Sequence, residues 1–163
     1  MRVDKLRDVD AALEVGGFIA LQATELLRDR DALSGRIEVV GDVSDAHDGQ
    51  LVTIRGDYSI PASKVLRFGI GLDTTYASSD YMDTYFSVDT GNASRSGLNT
   101  FNAGSGFKDI GLDLSAMYSV TERWGVLSLI RSTHIVNDAS DSPIVNEGSV
   151  HQLFGGIAVS YRF

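Results

Sequence analysis

The side chains that could carry chemistry in this chain are three histidines and an excess of carboxylates, because its 163 residues include no cysteine. His47 lies in an acidic loop beside Asp45 and Asp48, and imidazole and carboxylate groups are common metal ligands. Their spacing fixes no coordination geometry, so we interpret this segment as a solvated loop. The other two histidines are His134 and His151.

Two further segments match ligand-binding patterns only in part. The acidic segment 79–92 does not follow the spacing of a calcium-binding EF-hand. The glycine-rich segment 104–108 lacks the spacing and the following helix of a phosphate-binding loop, so we interpret it as a turn into a strand. The sequence also contains no nucleophile-elbow pattern. We therefore predict no catalytic residue, no metal ligand and no cofactor, and hence no enzyme.

Charges spaced by two or four residues, such as Arg55 with Asp57 and Asp109 with Asp113, allow two interpretations. They could form a hydrolytic site, or they could be ion pairs inside a small barrel. We favour ion pairs, with the arginines at 36, 55 and 67 set against the aspartates at 57, 73 and 113. A crowded lumen of this kind would be plugged.

Composition excludes several classes of protein. The formal net charge is −8, with no offsetting basic patch, so we predict no nucleic-acid partner. Hydrophobic residues make up 43% of the chain, which is enough for one folded domain over residues 1–163. No apolar run reaches the ~18 residues of a membrane-spanning helix. The first eight residues are largely charged and do not resemble a signal peptide.

Alternation of apolar and polar residues with period two dominates the chain and predicts about seven antiparallel strands. We place them at residues 15–27, 34–42, 50–60, 64–77, 107–119, 124–137 and 150–163. The segment 15–27 could also form a helix, since it is rich in Ala, Leu, Gln and Glu. We interpret it as a strand because its neighbours are strands. The predicted connections alternate between short ones (28–33, 61–64, 120–123) and long polar ones (44–49, 78–106, 138–149).

Two architectures give strands with one apolar and one polar face. A soluble ligand-binding β-barrel keeps the apolar face inside, whereas a transmembrane β-barrel turns it toward lipid. Aromatic residues near the predicted strand ends resemble the interfacial girdles of membrane barrels; they are Tyr58, Tyr76, Tyr118, Trp124, Tyr161 and Phe163. We therefore predict an all-β, antiparallel up-and-down transmembrane β-barrel, and keep the soluble barrel as the alternative.

The last strand carries a further signal. Its apolar residues alternate up to a terminal phenylalanine, as in the strand by which the outer-membrane barrel assembly machinery recognises its clients. These residues are Leu153, Ile157, Val159, Tyr161 and Phe163.

Several segments resemble the MipA/OmpV family of Gram-negative outer-membrane proteins. They are Arg-Asp-Val-Asp-Ala-Ala-Leu-Glu at 7–14, Asp-Tyr-Met-Asp-Thr-Tyr-Phe-Ser-Val at 80–88, Ala-Gly-Ser-Gly-Phe-Lys-Asp-Ile-Gly-Leu at 103–112, Asp-Ala-Ser-Asp-Ser-Pro-Ile-Val at 138–145 and the ending Tyr-Arg-Phe. The resemblance implies residence in the cell outer membrane and a structural or scaffolding role. In that role the protein would bring a lytic transglycosylase together with a peptidoglycan synthase, and would itself need neither a catalytic site nor a cofactor. A small outer-membrane pore is the alternative within membranes.

The resemblance also predicts that the chain is an N-terminally truncated member, the C-terminal part of a longer family barrel. Bacterial single-chain barrels have an even number of strands, so seven predicted strands leave at least one missing. The segment 78–106 is where we look for function, because loops of this length usually bind, plug or move. Its candidate residues are Tyr81, Met82, Tyr85 and Phe86, which we expect to fold over the barrel mouth or into the lumen.

Overall fold

The computed structural model describes residues 2–163, in which seven strands pair in chain order into one antiparallel sheet. The strands are β1 (Glu14–Thr24), β2 (Ala32–Asp42), β3 (Gln50–Pro61), β4 (Leu66–Ala77), β5 (Gly106–Ser119), β6 (Trp124–Ile135) and β7 (His151–Tyr161). This confirms the all-β up-and-down fold and the interpretation of segment 15–27 as a strand. None of the helices in residues 2–163 has the length and apolar content needed to cross a membrane.

The register sorts the side chains into an apolar outer face and a polar inner face. On β4, Leu72 is 57% exposed while the neighbouring Asp73 is only 7% exposed. The pairing carries this division across the sheet, because Leu72 lies opposite Leu112, and Asp73 opposite Arg55 and Gly111. An apolar exterior and a charged interior are the reverse of what a soluble barrel requires.

The two ends of the sheet differ in their connections. At one end, which we call the turn end, the connections are short: residues 25–31, 62–65 and 120–123. At the other, the helical end, the connections after β4 and β6 carry α1 (Ser79–Phe86), α2 (Thr90–Ser96), α3 (Asn137–Asp141) and α4 (Pro143–Asn146). A 3-10 turn, Val3–Lys5, also contacts α2.

The prediction that 78–106 and 138–149 are loops was wrong. Ordinary helix-end signals explain the difference: the Asp89 side chain accepts a hydrogen bond from the N–H of Asn92 at the start of α2, and Gly97, at φ 74°, ends that helix. Ser142 caps α4, whose first residue is Pro143. Because each helix has at most eight residues, hydrophobic periodicity does not reveal it.

Strands β1 and β7 form the two open edges of the sheet. All 11 residues of β1 are exposed, as are the residues of β7 except Gly156. The edge strands therefore present unpaired backbone groups and apolar side chains together, a combination that folded proteins normally cover.

The turn between β1 and β2 is fixed by Asp31, which is 1% exposed. Its carboxylate accepts hydrogen bonds from the N–H groups of Leu26, Leu27 and Arg28 and from the Tyr58 hydroxyl, at 2.8–3.0 Å. These bonds end β1 at Thr24, three residues before the predicted end. Burial alone would raise the pKa of Asp31, but the hydrogen bonds outweigh it and lower the pKa below its ordinary value of 3.8.

The lowered pKa predicts acid sensitivity at this turn. The contribution of Asp31 to stability is complete above the ordinary carboxylate pKa and is lost as the pH falls through the lower folded pKa. We expect Asp31→Asn to be less stable at neutral pH, and to lose less stability than the wild type between about pH 5 and about pH 2. Denaturant titrations of the refolded protein at several pH values measure this. The exposed Asp29→Asn in the same turn is the control, and equal acid slopes for Asp31→Asn and wild type would contradict the assignment.

Candidate functional site

Five charged side chains meet on the inner face of the sheet and form what we call the charge cluster: Arg55, Asp57, Asp73, Asp113 and Arg131. They lie on four consecutive strands, β3 to β6. Arg55 contacts all three aspartates, with its Nη1 2.6 Å from Asp113 Oδ2 and 3.2 Å from Asp73 Oδ1. Arg131 bridges the same two carboxylates at 2.8 Å and 2.7 Å.

Two aspartates of the charge cluster are buried, and the two arginines that pair with them are only partly exposed. The side chains of Asp73 and Asp113 are 4% and 6% exposed, while those of Arg55 and Arg131 are about one-third exposed, at 30% and 31%. Each buried carboxylate receives two guanidinium groups, so its charge is compensated. With every carboxylate committed to arginine, the cluster is suited to holding four strands together and filling the interior, and not to proton transfer.

Two glycines make room for the cluster. A Cβ on Gly71 would lie 2.5 Å from Asp57 Oδ1 and 2.6 Å from Arg55 Nη2. A Cβ on Gly111 would lie 2.7 Å from both Arg131 Nη2 and Asp73 Oδ1. Alanine at either position would force the charged groups apart.

The crowding at Gly111 gives a prediction for Gly111→Ala. We expect a loss of about 1–3 kcal/mol in the free energy of unfolding, the usual effect of overpacking. The matched control is Gly56→Ala on the outer face of β3, where a Cβ meets nothing within 4 Å. Denaturant unfolding of both variants in the same detergent measures the difference. Equal stabilities of the two would contradict the packing described here.

Beside the charge cluster the inner face forms an open cavity of about 450 Å³, lined by Arg36, Glu38, Thr53, Arg55, Asp73, Thr75 and Arg131. Arg36 pairs with Glu38 at 2.8 Å, and its guanidinium lies 3.8 Å above the ring of Phe18. The space is therefore polar and ringed by paired charges.

The connections 78–105 and 136–150 fold into a helical cap at the mouth of the inner face. Its buried core joins Met82, Ala103 and Ala139 to Ala77 at the end of β4, with Leu51 and Ile135 packed against them. The Ser142 hydroxyl donates to the Phe86 carbonyl at 2.6 Å, and the Asp138 carboxylate accepts the Gly104 N–H at 2.8 Å. These contacts tie the two connections to each other.

All four predicted residues of the 78–106 segment lie on α1. Met82 is 1% exposed and belongs to the core of the cap, against which Tyr81 and Phe86 pack. Tyr81 and Tyr85 contact the His47 ring, at centroid distances of 5.2 and 5.5 Å. Burial, followed by the charges of Tyr85, Glu14 and Asp109, raises the pKa of Tyr81 to about 12.

The prediction of a solvated loop around His47 was wrong, because the residue is only 4% exposed. Its Nδ1 accepts the Gly49 N–H at 3.0 Å, so the proton of the neutral ring lies on Nε2, which is 3.1 Å from Glu14 Oε1. The tyrosines that cover it come from a helix more than 30 residues away in sequence, which local reasoning could not reveal. No group of three or more His, Asp or Glu side chains suited to a metal ion occurs within residues 2–163.

The predicted assembly residues lie at the β7 edge. Leu153, Ile157, Val159 and Tyr161 line its outer face at 40–79% exposure, and Phe163 follows the strand. Tyr161 contacts Trp124 on β6 at 4.7 Å between ring centroids, and Tyr76 contacts Phe107 at 5.7 Å near the helical end. The outer face thus carries aromatic pairs toward both ends.

Sequence reasoning missed Arg131. Predicted strand 124–137 is apolar on both faces in part, so its inner residues did not stand out. The register places Arg131 directly opposite Asp113, and that pairing identifies its role. Asp109, which the sequence offered with Asp113 as a possible hydrolytic pair, forms an ion pair with Lys108 at 2.5 Å.

Comparisons with known proteins identify the family of the chain and two relatives. A family model described as MltA-interacting protein MipA matches residues 2–163. Two curated relatives, the MltA-interacting proteins of Escherichia coli (strain K12) and Shigella flexneri, are each 28% identical over 93 residues. The match covers 57% of this chain and 36% of each relative, so it spans about a third of the length of the curated relatives.

Proposed function

The chain belongs to the MipA family of MltA-interacting proteins, and we propose that it is an outer-membrane β-barrel protein with a structural, scaffolding role in the cell envelope. The observation that carries this proposal is the exposed apolar outer face of the sheet. Ile19, Leu153 and Ile157 are 74%, 79% and 78% exposed. Continuous apolar surface on this scale is costly in water and is stable against lipid tails.

We further propose that the seven strands are part of a closed barrel, the C-terminal part of a longer family barrel. Open sheet edges are not tolerated in the hydrocarbon region, because each unpaired backbone group there costs several kcal/mol. The exposed strands β1 and β7 are such edges. Further strands of the longer barrel would pair both edges; in the chain refolded alone, we expect β1 to pair with β7 of the same or of a second copy.

The exposed apolar residues of β7 support a role in assembly. Leu153, Ile157, Val159, Tyr161 and Phe163 are accessible from outside. We propose that the barrel assembly machinery engages this strand, and that outer-membrane lipid covers its outer face afterwards.

The scaffolding part of the proposal rests on the relatives, whose name says that they interact with MltA. We propose that this protein likewise holds a lytic transglycosylase, together with a peptidoglycan synthase, at the outer membrane. It would act by binding and not by catalysis. The paired carboxylates of the charge cluster agree with this, because they offer no free acid or base.

The charge cluster and the cap oppose the alternative of an open pore. Arg55 and Arg131 form ion pairs between strands across the inner face. Met82 packs against Ala77 at the end of β4 and so holds the cap over the mouth of the inner face. We expect no stepwise conductance in planar bilayers from the wild type, nor from a variant that lacks residues 83–99, because the cluster remains. Discrete conductance steps in the wild type would favour the pore.

Expression in a Gram-negative host, behind a cleavable signal peptide that directs the chain to the periplasm, tests the proposal as a whole. We expect the chain in the outer-membrane fraction, with an unboiled gel band that migrates faster than the boiled one. Cross-linking in that membrane should link it to a lytic transglycosylase. Recovery as a monomer in detergent-free buffer would overturn the membrane assignment. Outer-membrane recovery without that cross-link would overturn the scaffolding role alone.

A further inference from the structure

Two of the three histidines meet on the outer face at the helical end of the sheet. His134 on β6 and His151 on β7 are direct cross-strand partners, and both are exposed. Their Nδ1 atoms are 3.2 Å apart, and their ring centroids are 4.3 Å apart. Neither the charge cluster nor the cap uses them.

The separation of the two nitrogens matches the bite of a metal chelate. With Zn–N bonds of about 2.0–2.1 Å and tetrahedral angles, two imidazole nitrogens on one zinc ion lie about 3.3 Å apart. Without a metal, two neutral imidazoles can satisfy this contact only when one Nδ1 is protonated and the other is not. A cation bound between them accepts both lone pairs at once.

We propose that His134 and His151 form a binding site for a divalent first-row transition-metal ion such as Zn²⁺. Imidazole suits zinc, copper and nickel and does not suit the harder Mg²⁺ or Ca²⁺. Two protein ligands leave the remaining coordination positions to water, so the site is open to solvent at the rim. The antiparallel pairing of β6 and β7 already brings the two rings together, because the two residues lie opposite each other in the register, and a small rotation of the rings would turn both nitrogens toward one ion.

Binding would have a structural consequence. The ion would link the first residue of the edge strand β7 to the end of β6, at the point where the chain enters β7 from the cap. Because the ion binds the paired strands and not the separated ones, it should stabilise this edge by mass action.

Titration calorimetry with ZnCl2 on the tag-free, refolded chain tests the proposal. We expect one Zn²⁺ per chain, released by EDTA, and no heat with MgCl2. His134→Ala and His151→Ala should each weaken binding by more than the ~10-fold that a lost outer partner of a ligand costs. Leu153→Ala, on the same outer face of β7, is the control and should bind as the wild type does.

A variant that lacks both histidines shows whether the bound Zn²⁺ lies between them. In the double variant His134→Ala/His151→Ala only His47 is left. Retained Zn²⁺ binding by that variant would assign the metal elsewhere and overturn the proposal, as would wild-type affinity in either single variant. Absence of Zn²⁺ binding by a wild-type chain that shows the folded gel band would also overturn it. The site does not depend on the scaffolding role, so neither result decides the other.

Discussion

Leu72→Arg is expected to destabilise the protein in lipid by about 2–4 kcal/mol, the cost of arginine at the bilayer midplane on the outer face of a barrel. Leu72 lies midway along β4, points outward between Gly56 and Leu112, and is 57% exposed. Its side chain would lie far from both interfaces, so the guanidinium could reach water only by distorting the bilayer.

A second arginine substitution nearer the membrane surface shows whether the loss at Leu72 depends on depth in the bilayer or whether β4 tolerates no arginine on its outer face. Leu66→Arg, on the same outer face at the turn end of the strand, should cost only about 0–1 kcal/mol, because the side chain reaches the interface. Equilibrium unfolding of both variants in lipid vesicles measures the difference. Equal costs, or a stabilised Leu72→Arg, would mean that the outer face is not in hydrocarbon.

Arg131→Met is expected to cost about 3 kcal/mol, because it leaves Asp73 and Asp113 with Arg55 alone. Removing one partner of a buried ion pair costs about 3–5 kcal/mol. We expect the lower end of this range, since the Arg131 side chain is 31% exposed and water can reach the carboxylates. Methionine has most of the volume of the arginine side chain. The loss in the free energy of unfolding therefore measures the missing charge and not a cavity.

A second substitution distinguishes the charge cluster from ordinary packing. Adding Asp73→Asn to Arg131→Met should recover part of the lost stability, because the carboxylate that lost its 2.7 Å partner is then neutral. Arg67→Met is the control for losing an inner arginine, since Arg67 donates to the Ser59 hydroxyl and the Arg30 carbonyl. Additive losses in the double variant would contradict a coupled cluster.

The sequence allowed the strands to be predicted, but their alternation alone does not show which face lies outside. The prediction of an apolar exterior depended on the aromatic residues near the strand ends. Period-two alternation located five of the seven strands because each has one apolar face and one polar face, as Ile37 and Glu38 on β2 illustrate. Segment 15–27 was interpreted as a strand from its neighbours, and segment 124–137 is apolar on both faces in part. The same alternation fits a soluble sheet turned the other way. The register decides between them, since it gathers Asp73, Asp113 and the two arginines of the cluster onto one face.

Contacts between residues far apart in sequence account for what prediction missed. His47 is buried by Tyr81 and Tyr85, and Arg131 is significant only because of its place opposite Asp113. The four candidate residues on α1 could be predicted as a group, but not that only Met82 among them would be fully buried in the core of the cap. Topology, and not local composition, determines each of these outcomes.

The central claim is that the apolar face of the sheet is turned toward lipid. The orientation of neighbouring side chains on β3 tests this claim most directly. Thr53 faces the inner cavity, and Ile54, the next residue, is 46% exposed on the outer face. Because the chain has no cysteine, spin labels can be attached to Thr53→Cys and Ile54→Cys separately in protein refolded into vesicles. We predict that the label at 54 is accessible to lipid-dissolved oxygen and shielded from a water-soluble nickel complex, with the label at 53 less accessible to oxygen. The opposite ranking would contradict an apolar face turned toward lipid.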